Sequence, residues 1–253
     1  MLEILKDEYE KAHVNGSNKG IGYECRLVLA ISYWREYRGM RQMAFDYEIA
    51  LSTVCSSIHW VEDILSKHQD FTFGTIDEEI SKPEKEGKKV TTIIGDVTEQ
   101  AIERPTLNQE ESYSGKKKRH TTKNQIIIDE ESKKILNYFN QKGTIHDFQI
   151  IKNSNIIGTL NDLSIEGKFD SGYQGIQKIM DKVNIPYKNT KLHKLTDDEK
   201  KYNKILSSTR IKIEHTNRSI KIFRIIKETY RNHMNRYDKR LQIICAIYNM
   251  NLN

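Results

Sequence analysis

Apolar residues recur at helical spacing most regularly near the end of the chain, through the segment RIKIEHTNRSIK at 210–221. Positions three, four and seven apart share one face of a helix, so this spacing predicts a helix that buries a single stripe. The stripe consists of Leu206, Ile213, Ile220 and Phe223. Upstream, Thr196 and Glu199 have the spacing of a capping box, which predicts where the helical segment begins.

One acidic residue interrupts the basic face of this helix. Arg210, Glu214, Arg218 and Lys221 share that face, which lies beside the buried stripe. An ion pair between Arg210 and Glu214, one turn apart, would explain the acid, although such a pair contributes only about 0.3 kcal/mol. A chemical role for Glu214 becomes the better explanation only if other acids lie close to it in the folded chain.

Three amphipathic segments near the start of the chain predict helices at 26–37, 40–47 and 52–65, with Ser52 as the N-cap of the third. This order of helices is that of a helix-turn-helix, whose third helix enters the major groove of DNA. The candidate base-reading residues on it are Thr53, Ser56, Ser57 and His59. A plain helical bundle explains the same pattern almost as well, and the first 25 residues have no readable pattern.

A polar, charge-rich stretch at 66–88 predicts a linker, and the chain changes character beyond it. Strands are predicted at 90–96, 121–128, 132–139 and 166–170, and further helices at 146–154 and 172–183. Strands followed by alternating strands and helices indicate an α/β (α+β) fold, a mixed sheet with helices packed on it. The predicted organisation is therefore a helical region at 1–65, a linker at 66–88 and a second domain at 89–253.

Charge and cysteine content narrow the class of protein. Lys and Arg number 41 against 35 Asp and Glu, and the resulting net charge of +6 favours a polyanionic partner. The three cysteines lack metal-binding spacing, so no zinc site is expected, and their sparse, odd number fits a reducing cytoplasm. No segment approaches the roughly 20 apolar residues of a membrane span, and MLEILKDEYEK lacks the apolar core of a signal peptide.

Two further acids stand where predicted strands end. Asp96 closes the strand VTTIIGD, and Asp170 closes the strand EGKFD. Taken alone, each acid is more easily explained as a solvated strand end or a turn residue. If both meet Glu214, however, three like charges need compensation, and hard divalent cations such as Mg²⁺ supply it through oxygen ligands. A pair of such ions can hold the attacking and leaving oxygens of a phosphodiester.

The motifs that contain these acids resemble a known family, the DDE transposases of bacterial insertion sequences, and within it the group named for insertion sequence five. The resemblance rests on GDVTEQAIERP (95–105), YSGKKKRHTTK (113–123), FDSGYQGI (169–176) and RIKIEHTNRSIK, in that order along the chain. YWREYRGM (33–40) and STVCSSIHWVED (52–63) resemble the helix-turn-helix region that precedes the catalytic domain in that group. Each motif is weak alone, but the ordered set is specific.

This resemblance implies a ribonuclease-H-like catalytic domain with two bound metal ions, Mg²⁺ or Mn²⁺ as its substitute. Asp96, Asp170 and Glu214 would be the catalytic acids and metal ligands. Related transposases also have an arginine four residues before the glutamate and a lysine seven after it, which correspond to Arg210 and Lys221. The tyrosine of that signature is replaced here by Ser207.

Asp147, in the segment TIHDF, is the alternative to Asp170 as the second catalytic acid. The family tends to have an acid at both places, but its catalytic residue lies in the later glycine-tyrosine segment, which favours Asp170. Asp147 is otherwise explained as an acid at a helix N-terminus, where it interacts favourably with the helix dipole.

The run GKKKRH at 115–120 supplies the other candidate for nucleic-acid contact. Such a run alone is most often a solvated turn, but the resemblance implies a basic hairpin that touches the DNA backbone beside the active site. The residues concerned are Lys116, Lys117, Lys118 and Arg119.

The function that the resemblance implies is DNA transposition. The enzyme would bind the terminal inverted repeats of its element, hydrolyse a phosphodiester at each end and join the freed 3′-hydroxyl to target DNA. A homodimer or larger assembly on DNA, in the nucleoid-associated cytoplasm of a bacterium, is expected. Two alternatives stay open: an inactive copy that only binds DNA, and a related nuclease without strand transfer.

Overall fold

A computed structural model describes residues 1–12, 20–82, 89–191 and 193–252. The chain divides into two compact units, each of which is discontinuous in sequence. The first unit contains residues 1–72 and 220–247, and the second contains 73–219 and 248–253. The sequence had suggested one domain boundary in a linker at 66–88, with all later residues in the second domain. Part of that predicted linker, 83–88, lies outside the described residues.

The first unit is helical. Its helices are α1 (Leu2–Ala12), α2 (Tyr23–Glu36), α3 (Met40–Asp46), α4 (Leu51–Leu65) and α9 (Arg224–Lys227), and it contains most of α10 (Tyr237–Met250). The three helices predicted from periodicity are present as α2, α3 and α4, and α1 lies in the stretch without a readable pattern. Helix α4 begins one residue earlier than predicted, with Ala50 as its N-cap, so the prediction of Ser52 as cap is wrong. The reason is that the carbonyl of Ala50 already accepts from the amide of Val54.

A buried carboxylate in α4 holds part of the first unit together. Glu62 is fully buried among the apolar residues of the same helix, and it accepts hydrogen bonds from Trp34 Nε1 at 3.2 Å and from Arg240 Nε at 2.6 Å. Arg236 Nε donates to the second oxygen of Glu62 at 2.6 Å. Buried charges cost free energy unless they are paired, so α10 and the turn before it are required partners of α4.

The second unit is built on a six-stranded sheet. Its strands are β1 (Thr92–Ala101), β2 (Tyr113–Ser114), β3 (Arg119–Asp129), β4 (Ile135–Lys142), β5 (Glu166–Lys168) and β6 (Val183–Asn184). Strand β3 pairs antiparallel with β1, β2 and β4, whereas β5 pairs parallel with β1 and β6 parallel with β5. The order β4-β3-β1-β5-β6, with three antiparallel strands followed by two parallel ones, is ribonuclease-H-like and confirms the predicted fold class.

Helices and 3₁₀ turns connect and flank these strands. The helices of this unit are α5 (Ile76–Ser81), α6 (Asp147–Asn153), α7 (Ile157–Asp162) and α8 (Asp197–Ile220). Helix α5 lies in the stretch predicted to be a linker. The helix predicted at 172–183 is wrong, because that segment forms 3₁₀ turns at Ser171–Tyr173 and Ile176–Lys178 and then enters β6. Gly175 between the turns has φ of 101°, a left-handed conformation that an α-helix cannot contain.

The long helix of the sequence analysis is α8, and its predicted start is confirmed. Thr196 and Glu199 form a reciprocal capping box, in which Glu199 Oε2 accepts from the amide of Thr196 at 2.8 Å and Thr196 Oγ1 accepts from the amide of Glu199 at 3.2 Å. The helix ends at Ile220, so Lys221 does not continue its basic face as predicted. The chain turns there and buries Ile225 and Ile226 of α9.

No helix in the described part of the chain is long and apolar enough to cross a membrane.

Candidate carboxylate site

Asp96 lies on β1, on the face of the sheet that α8 covers. Ile93 and Val97 pack in the apolar core on one face of β1, so the alternation of a strand directs Asp96 to the opposite face. There Asp96 Oδ2 accepts a hydrogen bond from Asn217 Nδ2 at 2.8 Å. Arg210 Nη2 lies 3.8 Å from Asp96 Oδ1. Both partners project from α8, which therefore holds the carboxylate from above the sheet.

Phe169 fixes the neighbouring strand end against β1. A Cβ atom added to Gly95 would lie 2.3 Å from the Phe169 ring, and one added to Gly167 would lie 2.6 Å from it. The ring thus packs over two glycines on adjacent, paired strands. A side chain at either glycine would displace the ring. Because Gly95 precedes Asp96 and Phe169 precedes Asp170, this packing holds Asp170, which follows β5, beside the middle of β1. Strand β1 continues to Ala101, so the prediction that Asp96 closes its strand is wrong.

Asp170 caps the short 3₁₀ turn Ser171–Tyr173, where its Oδ1 accepts from the amide of Gly172 at 2.8 Å. Asp147 is on the other side of the same glycine. A Cβ atom on Gly172 would be 2.5 Å from Asp147 Oδ2 and 3.0 Å from Asp170 Oδ1, so the two carboxylates are close together. Asp147 differs in having an ion pair, because Lys123 Nζ lies 2.9 Å from its Oδ1.

Tyr173 is fully buried and packs with Ile93 and Phe169 in the apolar core of this unit. Its hydroxyl donates to Gln125 Oε1 at 3.3 Å. Burial is the main cause that raises the pKa of Tyr173, and the charges of Asp96, Asp147 and Asp170 raise it further, while Arg210 opposes them. The hydroxyl of Tyr173 is therefore kept protonated.

Glu214 lies on the face of α8 that carries the partners of Asp96. It follows Arg210 by four residues and precedes Asn217 by three, so all three side chains leave the helix on one side. Unlike the aspartates, Glu214 is exposed to solvent. Over the described ranges of the chain, no group of three or more His, Cys, Asp and Glu side chains is close enough to hold a metal ion. Asp147 and Asp170 thus lie on either side of Gly172, while Glu214 lies on α8, the helix that contacts Asp96.

Two polar atoms of the α8 residues that contact Asp96 are buried without a hydrogen-bond partner in the described structure: Arg210 Nε and Asn217 Oδ1. Leaving such atoms unpaired costs free energy, so native proteins pair nearly all of them with protein, water or ligand. One is a donor and one is an acceptor. The oxygens of Asn217 and Asp96 suit the hydration shell of a hard cation, whereas neither suits a soft metal.

Comparison with known proteins assigns the family. The profile described as "DDE superfamily endonuclease" matches residues 95–249, more than half of the chain. The chain belongs to this family. It is also 34% identical over 252 residues to the "Probable transposase for insertion sequence element IS702" of Microchaete diplosiphon, an alignment that covers 100% of this chain and 89% of the relative. The region that matches the DDE superfamily endonucleases begins directly before Asp96 and includes Asp170 and Glu214.

The basic run of this DDE-family chain forms a hairpin, as expected. Residues 115–118 make the turn between β2 and β3, and the amide of Lys118 donates to the carbonyl of Ser114 at 2.8 Å. All four predicted cations are exposed: Lys116, Lys117, Lys118 and Arg119. Arg210, by contrast, is mostly buried beside Asp96 and does not form an open basic surface.

The predicted base-reading residues of α4 differ in their exposure to solvent. Ser57 is only 1% exposed, because it points into the helical unit with the apolar stripe of α4, so the structure excludes it as a surface contact. Ser56 is exposed, and Thr53 and His59 are half-buried. Burial and the nearby guanidinium of Arg236 lower the pKa of His59, which favours a neutral imidazole. Cationic contacts from this helix face are therefore not expected.

Sequence reasoning missed four residues of the site: Lys123, Gln125, Tyr173 and Asn217. Tyr173 belongs to a motif that had been singled out, so its position in the interior could have been anticipated. Asn217 lies three residues after Glu214, on the same helix face, and that spacing was a usable signal. Lys123 and Gln125 lie on β3 and reach the site only through the pairing of β3 with β1, for which the sequence gives no direct signal.

Proposed function

We propose that this protein is a transposase that cleaves DNA at the ends of an insertion sequence and joins the cut ends to target DNA. The observation that carries the proposal is that α8, the helix with Glu214, also contacts Asp96 through Asn217 and Arg210, while Asp170 follows β5, the strand that pairs with β1. Membership of the DDE endonuclease family and the similarity to a probable transposase support it.

In the proposed mechanism, Asp96, Asp170 and Glu214 would hold two divalent cations, Mg²⁺ or Mn²⁺. Such ions would supply Lewis-acid stabilisation of the phosphodiester and activation of the attacking water or 3′-hydroxyl. The protein contributes position: the sheet fixes the aspartates, α8 presents the glutamate, and Arg210 keeps positive charge beside them. Asp147 is neutralised by Lys123, so we assign it to maintaining the site and not to binding metal.

The metal dependence is tested with a nicking assay on labelled duplexes that carry the DNA flanking the gene. Wild type and Glu214→Gln are compared in Mg²⁺, Mn²⁺ and EDTA, with Asp198→Asn as a matched control because it removes an exposed acid from the first turn of the same helix. We expect cleavage at the element boundary that requires metal and falls about a thousandfold or more in Glu214→Gln only. Metal-dependent binding of the same duplex without cleavage by wild type would instead indicate an inactive DNA-binding copy.

We propose further that the β2–β3 hairpin contacts the DNA backbone through Lys116, Lys117, Lys118 and Arg119. Four exposed cations in one turn concentrate positive charge at the surface, and each contact with a DNA phosphate adds a salt-dependent increment to affinity. Changing Lys116, Lys117 and Lys118 to Ala should weaken binding to all sequences and reduce the slope of log affinity against log salt by about 1 per lost contact. Lys200→Ala, an exposed cation on α8, should leave the slope unchanged.

The residues of α4 that remain exposed or half-buried, Thr53, Ser56 and His59, are the proposed readers of the terminal repeats. Two ends must be cut and joined, so a homodimer on paired DNA ends is the expected assembly. Sedimentation of the protein with and without a terminal-repeat duplex distinguishes a pre-formed dimer from one that DNA assembles. A cytoplasmic location beside the bacterial nucleoid follows from this substrate.

A further inference from the structure

Asn217 is the most completely buried polar residue that contacts the carboxylate site from α8. Asn217 is only 5% exposed, and its Nδ2 donates to Asp96 Oδ2 at 2.8 Å. Its Oδ1 is buried and has no hydrogen-bond partner within the described structure. The adjacent Thr216 is also buried, at 1% exposure, but its hydroxyl forms hydrogen bonds with the Lys212 carbonyl and with Tyr248.

The orientation of the Asn217 amide is set by Asp96. If the amide were rotated, Oδ1 would face the Asp96 carboxylate, and two acceptors would oppose each other. The donor must therefore point to Asp96, and the acceptor is left directed away from it. An acceptor held in place at a buried, polar position has the properties of a site for an ordered water.

We propose that Asn217 is a positioning residue of the carboxylate site. Its Nδ2 fixes the Asp96 carboxylate, and its Oδ1 accepts a hydrogen bond from a water molecule that hydrates the divalent cation. The inference rests on the proposed function, because it assumes a cation at Asp96. Mg²⁺ keeps several of its waters when bound to protein. Side chains that hydrogen-bond to the ligands of a metal ion typically change its affinity by roughly 10–100-fold when they are mutated.

The test measures Mn²⁺ binding to the full-length, DNA-free protein by isothermal titration calorimetry, together with the shift in Tm that Mn²⁺ produces. Asn217→Ala should weaken Mn²⁺ binding by roughly 10-fold or more and reduce the Tm shift accordingly. Thr216→Val is the matched control, because it removes a buried hydrogen bond from the next residue of the same helix. It should lower Tm in the absence of metal and leave the dissociation constant for Mn²⁺ unchanged.

Asn217→Asp separates the two parts of the proposal. It restores an acceptor oxygen but replaces the donor with a second carboxylate beside Asp96. We expect it to be less stable than wild type without metal, because like charges repel, and to bind Mn²⁺ more tightly than Asn217→Ala. A residue that only packs the helix would change the metal-free Tm in both variants and leave Mn²⁺ binding at the wild-type level.

The outcomes distinguish this inference from the function on which it rests. If Asn217→Ala and Asn217→Asp both bind Mn²⁺ as tightly as wild type, the proposed role of Asn217 is overturned and the metal site is not. Failure of the wild-type protein to bind Mn²⁺ at all, in the presence or absence of DNA, would overturn the metal site and the inference with it. Weakened binding in Asn217→Ala that recovers in Asn217→Asp supports both.

Discussion

Glu62 in the first unit and Asp96 in the second are both carboxylates that α-helical arginines approach, yet their surroundings differ. Glu62 accepts hydrogen bonds from Trp34, Arg236 and Arg240, and each of its oxygens has a partner at 2.6 Å. Arg240 is itself only 2% exposed and also donates to Tyr230 at 2.7 Å. Burial alone would lower the pKa of Arg240, but the adjacent Glu62 carboxylate outweighs burial and raises it.

Asp96 accepts a hydrogen bond from Asn217 at 2.8 Å, and Arg210 Nη2 lies 3.8 Å from its other oxygen. On the two α8 residues that contact Asp96, Arg210 Nε and Asn217 Oδ1 are buried without a hydrogen-bond partner in the described structure. The comparison teaches that the two clusters differ in how completely their buried polar atoms are paired. The first network has its charges paired, whereas the second leaves capacity for a ligand.

The largest expected change in stability comes from breaking the saturated cluster. Glu62→Gln leaves Arg240 buried beside a neutral amide, and we expect the free energy of unfolding to fall by about 3–5 kcal/mol. Urea unfolding followed by circular dichroism measures this loss. The double variant Glu62→Leu with Arg240→Met removes both charges and should recover most of it, since a well-packed apolar pair can replace a buried ion pair. A loss below about 1 kcal/mol in Glu62→Gln would contradict a structural role.

The second expected effect tests how packing against Phe169 holds the Asp96 region. Gly95→Ala puts a methyl group into the Phe169 ring and within 2.9 Å of Ile127 Cδ1. Overpacking of this kind should reduce the free energy of unfolding by about 1–3 kcal/mol and abolish cleavage through displacement of β1 relative to β5. Gly158→Ala in α7 is the control, because nothing lies within 4 Å of the added Cβ, and it should leave both quantities intact or slightly improve stability.

Asp96→Asn should change the free energy of unfolding in the opposite direction from Glu62→Gln. It removes one of several neighbouring like charges while an amide oxygen can still accept from Asn217, so we expect stability to stay constant or to rise by up to about 1 kcal/mol. Cleavage should nevertheless disappear. Thermal unfolding without metal and the nicking assay on the same preparation measure the two effects. Marked destabilisation without metal would show that Asp96 is a structural carboxylate like Glu62.

The smallest expected effect concerns pH and the rim of the saturated cluster. Burial alone would raise the pKa of Asp63, but hydrogen bonds from Lys239 and Arg236 lower it below its ordinary value of 3.8. Since the folded-state pKa is depressed, the stabilisation is present above about pH 3.8 and is lost as the pH falls through the folded-state value.

Asp63→Asn is therefore expected to be slightly less stable than wild type near neutral pH, by about 0.2–1 kcal/mol, because the side chain is partly exposed. The difference should vanish in acid. Urea unfolding of both proteins at a series of pH values measures this convergence, and a constant gap across the series would mean that Asp63 acts through packing and not through its charge.

The sequence predicted more of the local structure than of the site. Helix α8, its capping box and the three helices α2 to α4 were predictable because periodicity and caps are local properties. The segment 172–183 was mispredicted, because its apolar spacing fits a helix while Gly175 adopts a left-handed conformation. Ser57 was mispredicted as a DNA contact because polarity indicates exposure only on average, and this hydroxyl lies on the buried face of α4.

By itself the sequence determined the fold class, the order of the catalytic motifs and the identity of the candidate acids, because each is written in contiguous residues. Only the tertiary structure decided which polar residues surround Asp96. Helix α8 brings Arg210 and Asn217 to Asp96, and the Phe169 ring sets the place of Asp170 beside β1. It also assigned residues 220–247 to the first unit, where Arg240 pairs with Glu62 across 178 positions of sequence. The physical reason is that pairing of strands and burial of charges depend on contacts between distant segments, which no local pattern records.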